Sequence, residues 1–370
     1  MEFLADIGIV ILKAALVLGA LLHMAALTIW IERKAAALIQ DRQGANRAAI
    51  LGFDLAGVIN TLIADPVKAL FKEDFVPRGT SQFMHSMGPF LAVLPVLVSF
   101  AVVPFGPDLE IGGRTIALQL AQLNVGILYV FAMGSLAVYG VVLAGWVSRN
   151  KFSLFGGLRA SAQMISYEIT MGVSIVGVLA IYSSLDLAEI VKYQSGTFLG
   201  FLPNWGIFLN PLGFVLFFIS MMAETKRAPF DLPESESELV AGYLTEYSGM
   251  KFMLFWLGEF AEIAVASAII TLLFLGGWQL PYIDITKISS DWGGILPGFF
   301  KEWNFQWAPL IGTAVFGAKT VFLCVVQVVL RWTLPRFRYD QLMNLCWKIM
   351  LPFALLNLVA TVVLVLMGFY

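Results

Sequence analysis

The residues of this sequence best suited to chemistry are carboxylates concentrated between two apolar segments. Within AETKRAPFDLPESESELVAGYLTEYSG, residues 223–249, they are Glu224, Asp231, Glu234, Glu236, Glu238 and Glu246. Ionisable groups close to a bilayer are costly, so they suggest a function by default. A buried carboxylate resists ionisation, and a like-charged neighbour adds to that resistance, so it can bind and release protons near neutral pH. The stretch therefore indicates proton transfer.

Three more glutamates lie inside apolar segments that flank this stretch, at Glu168, Glu259 and Glu262. Glu259 and Glu262 are three residues apart, so a helix would place them on the same face. Together with Glu224, which closes an apolar segment, they indicate a proton route from the surface to mid-membrane. The alternative is a set of structural ion pairs, for instance between one glutamate and Lys319 in another apolar segment.

Ordinary helix-start chemistry offers a second interpretation of the acidic stretch. Asp231 followed by Pro233 and Glu234 predicts a helix N-terminus with Asp231 as its cap, because Pro suits the first turn and acids suit the helix dipole. This interpretation does not account for the carboxylates of Glu224, Glu238 and Glu246. Helix capping therefore explains only part of the cluster.

The composition is that of an integral membrane protein. Of the 370 residues, 59% are hydrophobic and 13% are charged, whereas soluble proteins carry roughly 25% charged residues. The net charge of -2, without any basic tract, gives no indication of a nucleic-acid partner. The first apolar run is too long for a signal peptide, so we expect it to be a retained span.

The apolar runs predict an all-α integral membrane protein with eight transmembrane helices in a single polytopic domain, residues 1–370. A helix needs about 20 mostly apolar residues to cross the hydrocarbon core, and backbone groups in lipid must bond within their own segment. The expected spans are residues 7–30, 86–104, 123–147, 161–183, 205–223, 250–276, 308–330 and 350–369.

The distribution of positive charge predicts the orientation of these spans. The connections after the first, third, fifth and seventh spans carry sixteen lysines and arginines, whereas the other connections carry four. Because positive charge is enriched in cytoplasmic loops, both termini are expected outside. The acidic loop, residues 224–248, is then on the inner side.

The first inner connection contains an amphipathic segment. In residues 54–72, apolar side chains recur at helical spacing, and Asp65 and Pro66 interrupt a run that is already short for a span. The pattern predicts a helix that lies in the membrane interface. It is equally consistent with a simple surface anchor and with a helix that borders the entrance for a lipid-soluble substrate.

The cysteines and histidines do not form a metal-binding pattern. Cys324, Cys346, His23 and His85 lack ligand spacing, so we expect no structural zinc or iron–sulfur site within this chain. A redox cofactor would have to belong to a partner or be a mobile ligand.

Five blocks of the sequence resemble the H-type membrane subunit of respiratory complex I, the proton-pumping NADH:quinone oxidoreductase. They are IERKAAALIQDRQGANR, LRASAQMISYE, AETKRAPFDLPESESELVAGYLTEYSGMKF, LFLGGW and RWTLPRFRYDQLMNLCWKIMLP. The resemblance covers nearly the whole chain, and the blocks together are highly specific.

The resemblance implies a subunit that is not catalytic alone and that forms much of a quinone chamber between the hydrophilic and membrane arms. The substrate would be a quinone, either ubiquinone or menaquinone. FMN, the iron–sulfur clusters and the ligands of the quinone headgroup would belong to hydrophilic-arm partner subunits. Small and antiporter-like membrane subunits and the lipid bilayer would be the other partners. The location would be the bacterial cell inner membrane, with the mitochondrial inner membrane also possible.

The resemblance also assigns roles to individual residues. The family's proton-coupling positions match Glu168, Glu224, Glu234, Glu236, Glu238, Glu246 and Glu259. Its quinone chamber and entrance match Arg33, Arg42, Arg47, Asp65, Lys68, Arg227, Phe230 and Asp231.

The chain departs from the family pattern at several places. The family commonly has Pro where Ala45 stands and a different sequence at VINTLIADP, which affects the shape of the entrance. It often has Tyr where Phe260 stands, so a hydroxyl is missing here. Glu262 is not part of the family pattern.

Three other functions remain open from the sequence. One is the homologous membrane subunit of a hydrogenase or of another quinone-linked dehydrogenase, against which the blocks FDLPESESE and RYDQLM favour the quinone enzyme. A second is a stand-alone cation/proton secondary transporter, which would usually show an internal repeat that this sequence lacks. The third is a purely structural anchor, which leaves the buried carboxylates without a purpose.

Overall fold

The structure, a computed structural model, describes residues 2–46, 57–111, 114–198, 200–282 and 308–369. The predicted entrance residue Arg47 lies outside these ranges, and so does the side chain of Glu236. All of the other predicted site residues are described.

The described part of the chain is predominantly helical. Its α-helices are α1 (Glu2–Ile39), α2 (Asp65–Phe71), α3 (Gln82–Ser99), α4 (Gly126–Val147), α5 (Lys151–Tyr182), α6 (Leu187–Tyr193), α7 (Gly206–Leu209), α8 (Pro211–Glu224), α9 (Glu236–Leu239), α10 (Gly249–Phe274), α11 (Ala308–Thr333), α12 (Tyr339–Asn344) and α13 (Leu351–Leu366). Short 3-10 turns cover Phe100–Val102 and Gly242–Leu244, and π-helical turns cover Asn60–Ala64 and Leu345–Met350.

Two small antiparallel hairpins complete the secondary structure of the described residues. Strands β1 (Leu109–Ile111) and β2 (Arg114–Ile116) form the first, and β3 (Thr197–Phe198) and β4 (Leu202–Pro203) form the second. In the described part of the chain, these short strands are where the structure departs from the all-α prediction.

Within the described residues, seven helices are long and apolar enough to cross a membrane: Ile7–Ile39, Gln82–Val102, Gly126–Val147, Lys151–Tyr182, Gly249–Phe274, Ala308–Thr333 and Tyr339–Leu366. The predicted span 205–223 is instead divided into α7 and α8. Pro211 starts α8, and the Asn210 side chain caps it by accepting a hydrogen bond from Gly213 N at 2.9 Å. The 14 residues of α8 reach about 21 Å, less than the roughly 30 Å hydrocarbon core. The eighth crossing stays a prediction.

Two spans extend further than their hydropathy indicates. α1 continues to Ile39, and α5 begins at Lys151, where Asn150 accepts a hydrogen bond from Phe152 N at 3.0 Å. Both extensions are too polar or too rich in glycine to be recognised as apolar spans. Each is nevertheless helical, so side chains such as Glu32 and Arg33 are held on a rigid element.

The interfacial segment is helical in its described part. A π-helical turn, Asn60–Ala64, continues directly into α2, where Pro66 lies in the first turn. Leu62, Leu70 and Phe71 on this segment are exposed, as expected for an amphipathic helix in the membrane interface. The predicted residues 54–56 lie outside the described ranges.

The connections meet in two groups at opposite ends of the bundle. Thr80 donates to Val147 O at 3.0 Å, and Asn150 donates to the Glu246 carboxylate at 2.8 Å. We call the end formed by residues 72–81, 148–150, 225–248 and 334–338 the acidic end. The connections that bear the two hairpins form the opposite end, where Gln194 donates to Leu272 O at 2.6 Å. The predicted topology of eight crossings and the outside location of the termini stay predictions.

Helix α10 is the centre of the bundle. Every residue from Ile263 to Phe274 is buried, and α10 packs against α1, α3 and α11. A helix enclosed on all sides has no lipid-facing surface for polar groups, so Glu259 and Glu262 must find partners inside the protein.

Close backbone packing joins α3 to α4. A Cβ atom at Gly140 would lie 2.4 Å from Ala92 N and 2.8 Å from Ala92 Cα, whereas a Cβ atom at Gly134 on the same helix would meet nothing within 4 Å. Small residues allow such close approach of helices in membranes.

We therefore expect Gly140→Ala to lower the thermal unfolding midpoint of the detergent-purified protein, because the added methyl group meets backbone atoms that cannot rotate away. Overpacking of this kind costs roughly 1–3 kcal/mol. The matched control is Gly134→Ala, which makes the same helix-favouring change without the clash. Equal midpoints for the two variants would contradict this account of the packing.

Candidate functional site

The chain between α8 and α10 folds back into the bundle at the acidic end. Lys226 adopts a left-handed backbone conformation, with φ 54°, directly after α8 ends at Glu224. This turn directs the chain inward, and the side chains of Lys226 and Arg227 are each only 7% exposed. Two cations are thus buried beside the central helix.

Arg227 lies between two buried carboxylates. Its Nη1 atom is 2.5 Å from Glu32 Oε2, and its Nη2 atom is 3.8 Å from Glu259 Oε2. Arg331 of α11 forms a second ion pair with Glu32. Tyr243 donates a hydrogen bond from its hydroxyl group to Glu259 Oε1 at 2.7 Å. These five residues, which we call the Arg227 network, connect α1, α10, α11 and the acidic loop.

The protonation states in this network follow from its geometry. Burial alone would lower the pKa of Arg227, but the carboxylates of Glu32 and Glu259 outweigh that effect and raise it. Burial, followed by the charge of Glu259, raises the pKa of Tyr243. Arg227 therefore stays charged and Tyr243 stays a hydrogen-bond donor.

Phe260, which stands where the family often has Tyr, packs against Arg227. The Arg227 guanidinium lies 3.9 Å from the centre of the Phe260 ring. A cation over an aromatic face is stabilised by the ring quadrupole, the more so when both are away from water. Phe260 thus supports Arg227 through its ring face while Glu32 and Glu259 bind the edge of the guanidinium.

A second buried ion pair lies next to this network. Lys226 Nζ is 3.3 Å from Glu262 Oε2, with exposed side-chain fractions of 6% and 12%. Burial alone would lower the pKa of Lys226, but the carboxylates of Glu262, Glu259 and Glu224 together raise it. Glu262, which the family pattern leaves unassigned, is therefore paired with a charged lysine.

Glu168 and Glu224 meet at a small pocket between α3, α4, α5, α8 and α10. The pocket has a volume of about 50 Å³, and Glu262 also borders it, which is room for roughly three waters. Ser135 donates a hydrogen bond to Glu168. Glu224 Oε2 is buried and has no hydrogen-bond partner among the described residues. The structure thus brings together three of the glutamates that the sequence singles out.

Asp231 and Glu234 lie closer to the surface of the acidic end. Asp231 binds Arg336 at 2.8 Å, and burial raises its pKa to about 6 although Arg336 opposes the shift. Burial and the charges of Glu259 and Asp231 also raise the pKa of Glu234. The expectation that Asp231 caps a helix is wrong. The helix α9 begins five residues later, at Glu236, with Ser235 before it. The Asp231 carboxylate binds Arg336 instead.

The remaining carboxylates of the acidic loop are placed apart from the pocket. Glu238 forms an ion pair with Arg159 at 2.6 Å, with exposed side-chain fractions of 45% and 30%. Glu246 accepts a hydrogen bond from Asn150, and its backbone carbonyl is 3.2 Å from Nε2 of the buried His85. Glu238 thus joins α9 to α5, and Glu246 joins the acidic loop to the connection before α5.

Three predicted entrance residues line a single pocket. Arg33, Asp65 and Lys68 border a space of about 190 Å³ between α1, α2 and α10, and Arg33 binds Asp65 at 2.6 Å. The apolar part of its wall includes Ile29, Phe252 and Trp256.

A second pocket lies on the other side of Arg33. It has a volume of about 330 Å³, and Glu32, Arg42 and Trp332 are part of its wall. Because Glu32 also binds Arg227, this second pocket directly adjoins the Arg227 network. Phe230, by contrast, is 4% exposed and packs against Tyr167 and Phe337, outside both pockets.

Several residues of these buried contacts are missed by the sequence interpretation. Glu32, Lys226, Tyr243 and Arg331 all lie inside the quoted blocks without a predicted role. A charged residue inside a recognised block, next to apolar spans, is the signal that could have found Glu32, Lys226 and Arg331. Among the described residues Lys319 has no glutamate partner: its ammonium group donates to the carbonyl groups of Leu275, Gly277 and Gln279 at 2.7, 3.0 and 2.5 Å.

Metal ligation is not a feature of the described region. Within residues 2–46, 57–111, 114–198, 200–282 and 308–369, no group of three or more His, Cys, Asp or Glu side chains could hold a metal ion.

We expect Glu32→Ala to destabilise the protein strongly, because it leaves two arginines without their buried partner. Breaking a buried pair costs roughly 3–5 kcal/mol, whereas an exposed pair contributes about 0–1 kcal/mol. Glu238→Ala is the matched control, since it removes an Arg–Glu pair of nearly the same length, 2.6 Å against 2.5 Å, at the surface. The measurement is the thermal midpoint in detergent, and a smaller loss for Glu32→Ala would refute the account.

The raised pKa of Asp231 predicts how the stability of the protein depends on pH. The pKa of Asp231 is about 6 in the folded protein against an ordinary value of 3.8, so the folded state binds the additional proton between these values. Its contribution to stability is present at low pH and is lost as the pH rises through about 6. We expect the thermal midpoint of the protein, relative to Asp231→Asn, to be higher at about pH 4.5 than at about pH 7.5. A constant difference between the two proteins would contradict the assignment.

The comparisons with known proteins agree on one family. A family model described as NADH dehydrogenase matches residues 12–362. The chain is 40% identical to the H subunit of the NADH-quinone oxidoreductase of Bdellovibrio bacteriovorus, with 95% of this chain and 94% of that protein covered. It is 42% identical to the NADH-quinone oxidoreductase H 1 subunit of Geobacter metallireducens, with 96% of each covered.

A third relative extends this similarity to another bacterium. The chain is 43% identical to the NADH-quinone oxidoreductase H 1 subunit of Cytophaga hutchinsonii, with 89% of each protein covered. The matches span nearly the full length of both partners, so they include the acidic loop and every long helix. The chain therefore belongs to the NADH dehydrogenase family, together with the H subunits of NADH-quinone oxidoreductase that it resembles.

Proposed function

We propose that this chain is the H subunit of a proton-translocating NADH:quinone oxidoreductase in a bacterial inner membrane, with its termini outside. Its role is to form the quinone chamber at the junction with the hydrophilic arm and to couple quinone reduction to proton movement. The observation that carries the proposal is the set of buried ion pairs between the pocket at Arg33 and the pocket at Glu224. Arg227 binds Glu32, which borders the first pocket, and Lys226 binds Glu262, which borders the second.

The two pockets on either side of Arg33 are suited to a quinone. The smaller one combines a wall of Ile29, Phe252 and Trp256 with the Arg33–Asp65 pair, and the exposed apolar side chains of α2 lie next to it. A lipid-soluble molecule could enter between α1 and α2 and reach the larger pocket beside Glu32. Apolar walls with a few polar groups are typical of ligand sites.

The redox cofactors of the reaction would reside elsewhere. FMN and the iron–sulfur clusters are assigned to hydrophilic-arm partner subunits, which would dock at the acidic end and also supply the ligands of the quinone headgroup. Small and antiporter-like membrane subunits would continue the proton path. The described residues of this chain provide cations, carboxylates and hydroxyl groups instead.

Electrostatics supplies the coupling. Reduction of a quinone to a quinol takes two electrons and two protons, and the charge that develops on the headgroup oxygens attracts protons and cationic side chains. A shift of positive charge toward the headgroup would weaken the hold of Arg227 on Glu32 and Glu259. The negative charge of Glu32 and Glu259 is then less compensated, and it acts on Lys226, Glu262 and Glu224 further inside.

The central test is Glu224→Gln in the intact complex. The amide cannot release a proton, so we expect assembly to be retained while quinone-linked NADH oxidation falls roughly 100-fold, the usual effect of removing a proton-transfer group. Electron transfer from NADH to a soluble acceptor that bypasses the quinone should be unchanged.

The control for this variant is Glu189→Gln. Glu189 is an exposed glutamate at the opposite end of the bundle that binds Ser184 at 2.7 Å, so its substitution should leave quinone-linked activity unaltered. Wild-type turnover by an assembled Glu224→Gln complex would refute the role of Glu224.

A further inference from the structure

Glu262 lies between two groups of buried carboxylates. One group is Glu168 and Glu224 at the small pocket, and the other is Glu32 and Glu259 in the Arg227 network. Glu262 borders the pocket that Glu168 and Glu224 also line, and it is one helical turn away from Glu259 of the Arg227 network on the same face of α10. The family pattern leaves this position unassigned, so its presence here needs its own explanation.

Lys226 connects the same two groups through its charge. It contacts Glu262 at 3.3 Å, and Glu259 and Glu224 are also close enough to act on its ammonium group. The charged groups that act on Glu262 are Lys226 and Arg227 from the loop and Glu259 from its own helix. Glu224 of α8 and Glu168 of α5 face it across the pocket.

The Lys226–Glu262 pair is poorly explained as a stabilising element. Removing two charges from water costs several kcal/mol each, and only excellent geometry with further hydrogen bonds offsets that cost. Here the pair makes one contact, at 3.3 Å, and the pocket beside it leaves the carboxylate accessible to small molecules such as water. A pair of this kind is loosely held and can exchange partners.

We propose that Glu262 is an additional proton-carrying residue of this chain, and that Lys226 is the positioning residue that holds it ionised and ready to accept a proton. This inference rests on the proposed function and deepens it. The pair joins the Arg227 network to the pocket, so a proton at the pocket has Glu262 as well as Glu168 as an acceptor.

The transfer step conserves protons and charge. A proton that leaves Glu224, directly or through a water, breaks an O–H bond there and forms one on a Glu262 oxygen. Lys226 stays an ammonium group and loses its charged partner, while Glu224 becomes a carboxylate within its reach. The lysine therefore compensates the new charge on Glu224, and the step reverses when Glu262 releases its proton.

The experiment uses the whole complex reconstituted in vesicles, with protons pumped per electron and the pH profile of quinone-linked turnover as readouts. We expect Glu262→Gln to lower proton pumping on the order of tenfold, less than the roughly hundredfold loss on removing a sole proton donor, because Glu168 still borders the pocket. Glu262→Asp should restore pumping with a shifted pH profile. Glu189→Gln serves as the neutral control.

A double variant separates this role from a structural one. In Lys226→Met with Glu262→Gln, no buried charge is left unpaired, so thermal stability should return while pumping stays low. Recovery of pumping together with stability would overturn the inference. Normal pumping and pH profile in Glu262→Gln, alongside an impaired Glu224→Gln, would also overturn it while the proposed function stands. If both variants behave as wild type, the proposed function itself fails.

Discussion

The structure depends on the burial of cations and carboxylates beside a helix that has no lipid-facing side. Arg227 holds Glu32 and Glu259 at 2.5 and 3.8 Å, and without either partner a charge would remain in a medium of low dielectric constant. Such a charge costs far more than it would in water. The acidic loop must therefore fold into the bundle, since only there can it deliver Arg227 and Lys226 to their partners.

This constraint explains the arrangement of the helices around the site. The central helix α10 carries Glu259 and Glu262. The extension of α1 to Ile39 holds Glu32, which lies beyond its apolar segment, on the same helix. Arg331 brings α11 to the same point. Ionic contacts thus orient four parts of the chain around one position, and apolar packing fills the remainder of the core. The same contacts make the site sensitive to charge, which a proton-coupling function requires.

Most of the membrane-spanning helices could be predicted from the sequence, because a span is determined by the hydropathy of its own consecutive residues. Seven of the expected spans are present as long helices in the described part of the chain. The partners of the buried charges could not be predicted, since Glu32 and Arg227 are separated by 195 positions and meet only in the folded chain. The break at Asn210 and Pro211 was missed because both residues lie within an otherwise apolar run.

The most direct test of the central claim is infrared difference spectroscopy of the intact complex as bound quinone is reduced. If the buried glutamates carry the proton, quinone reduction produces difference bands from protonated carboxyl groups, and substitution of Glu224 by Gln removes part of that signal. A reduction spectrum without carboxyl bands, or one that Glu224→Gln leaves unchanged, would contradict the account.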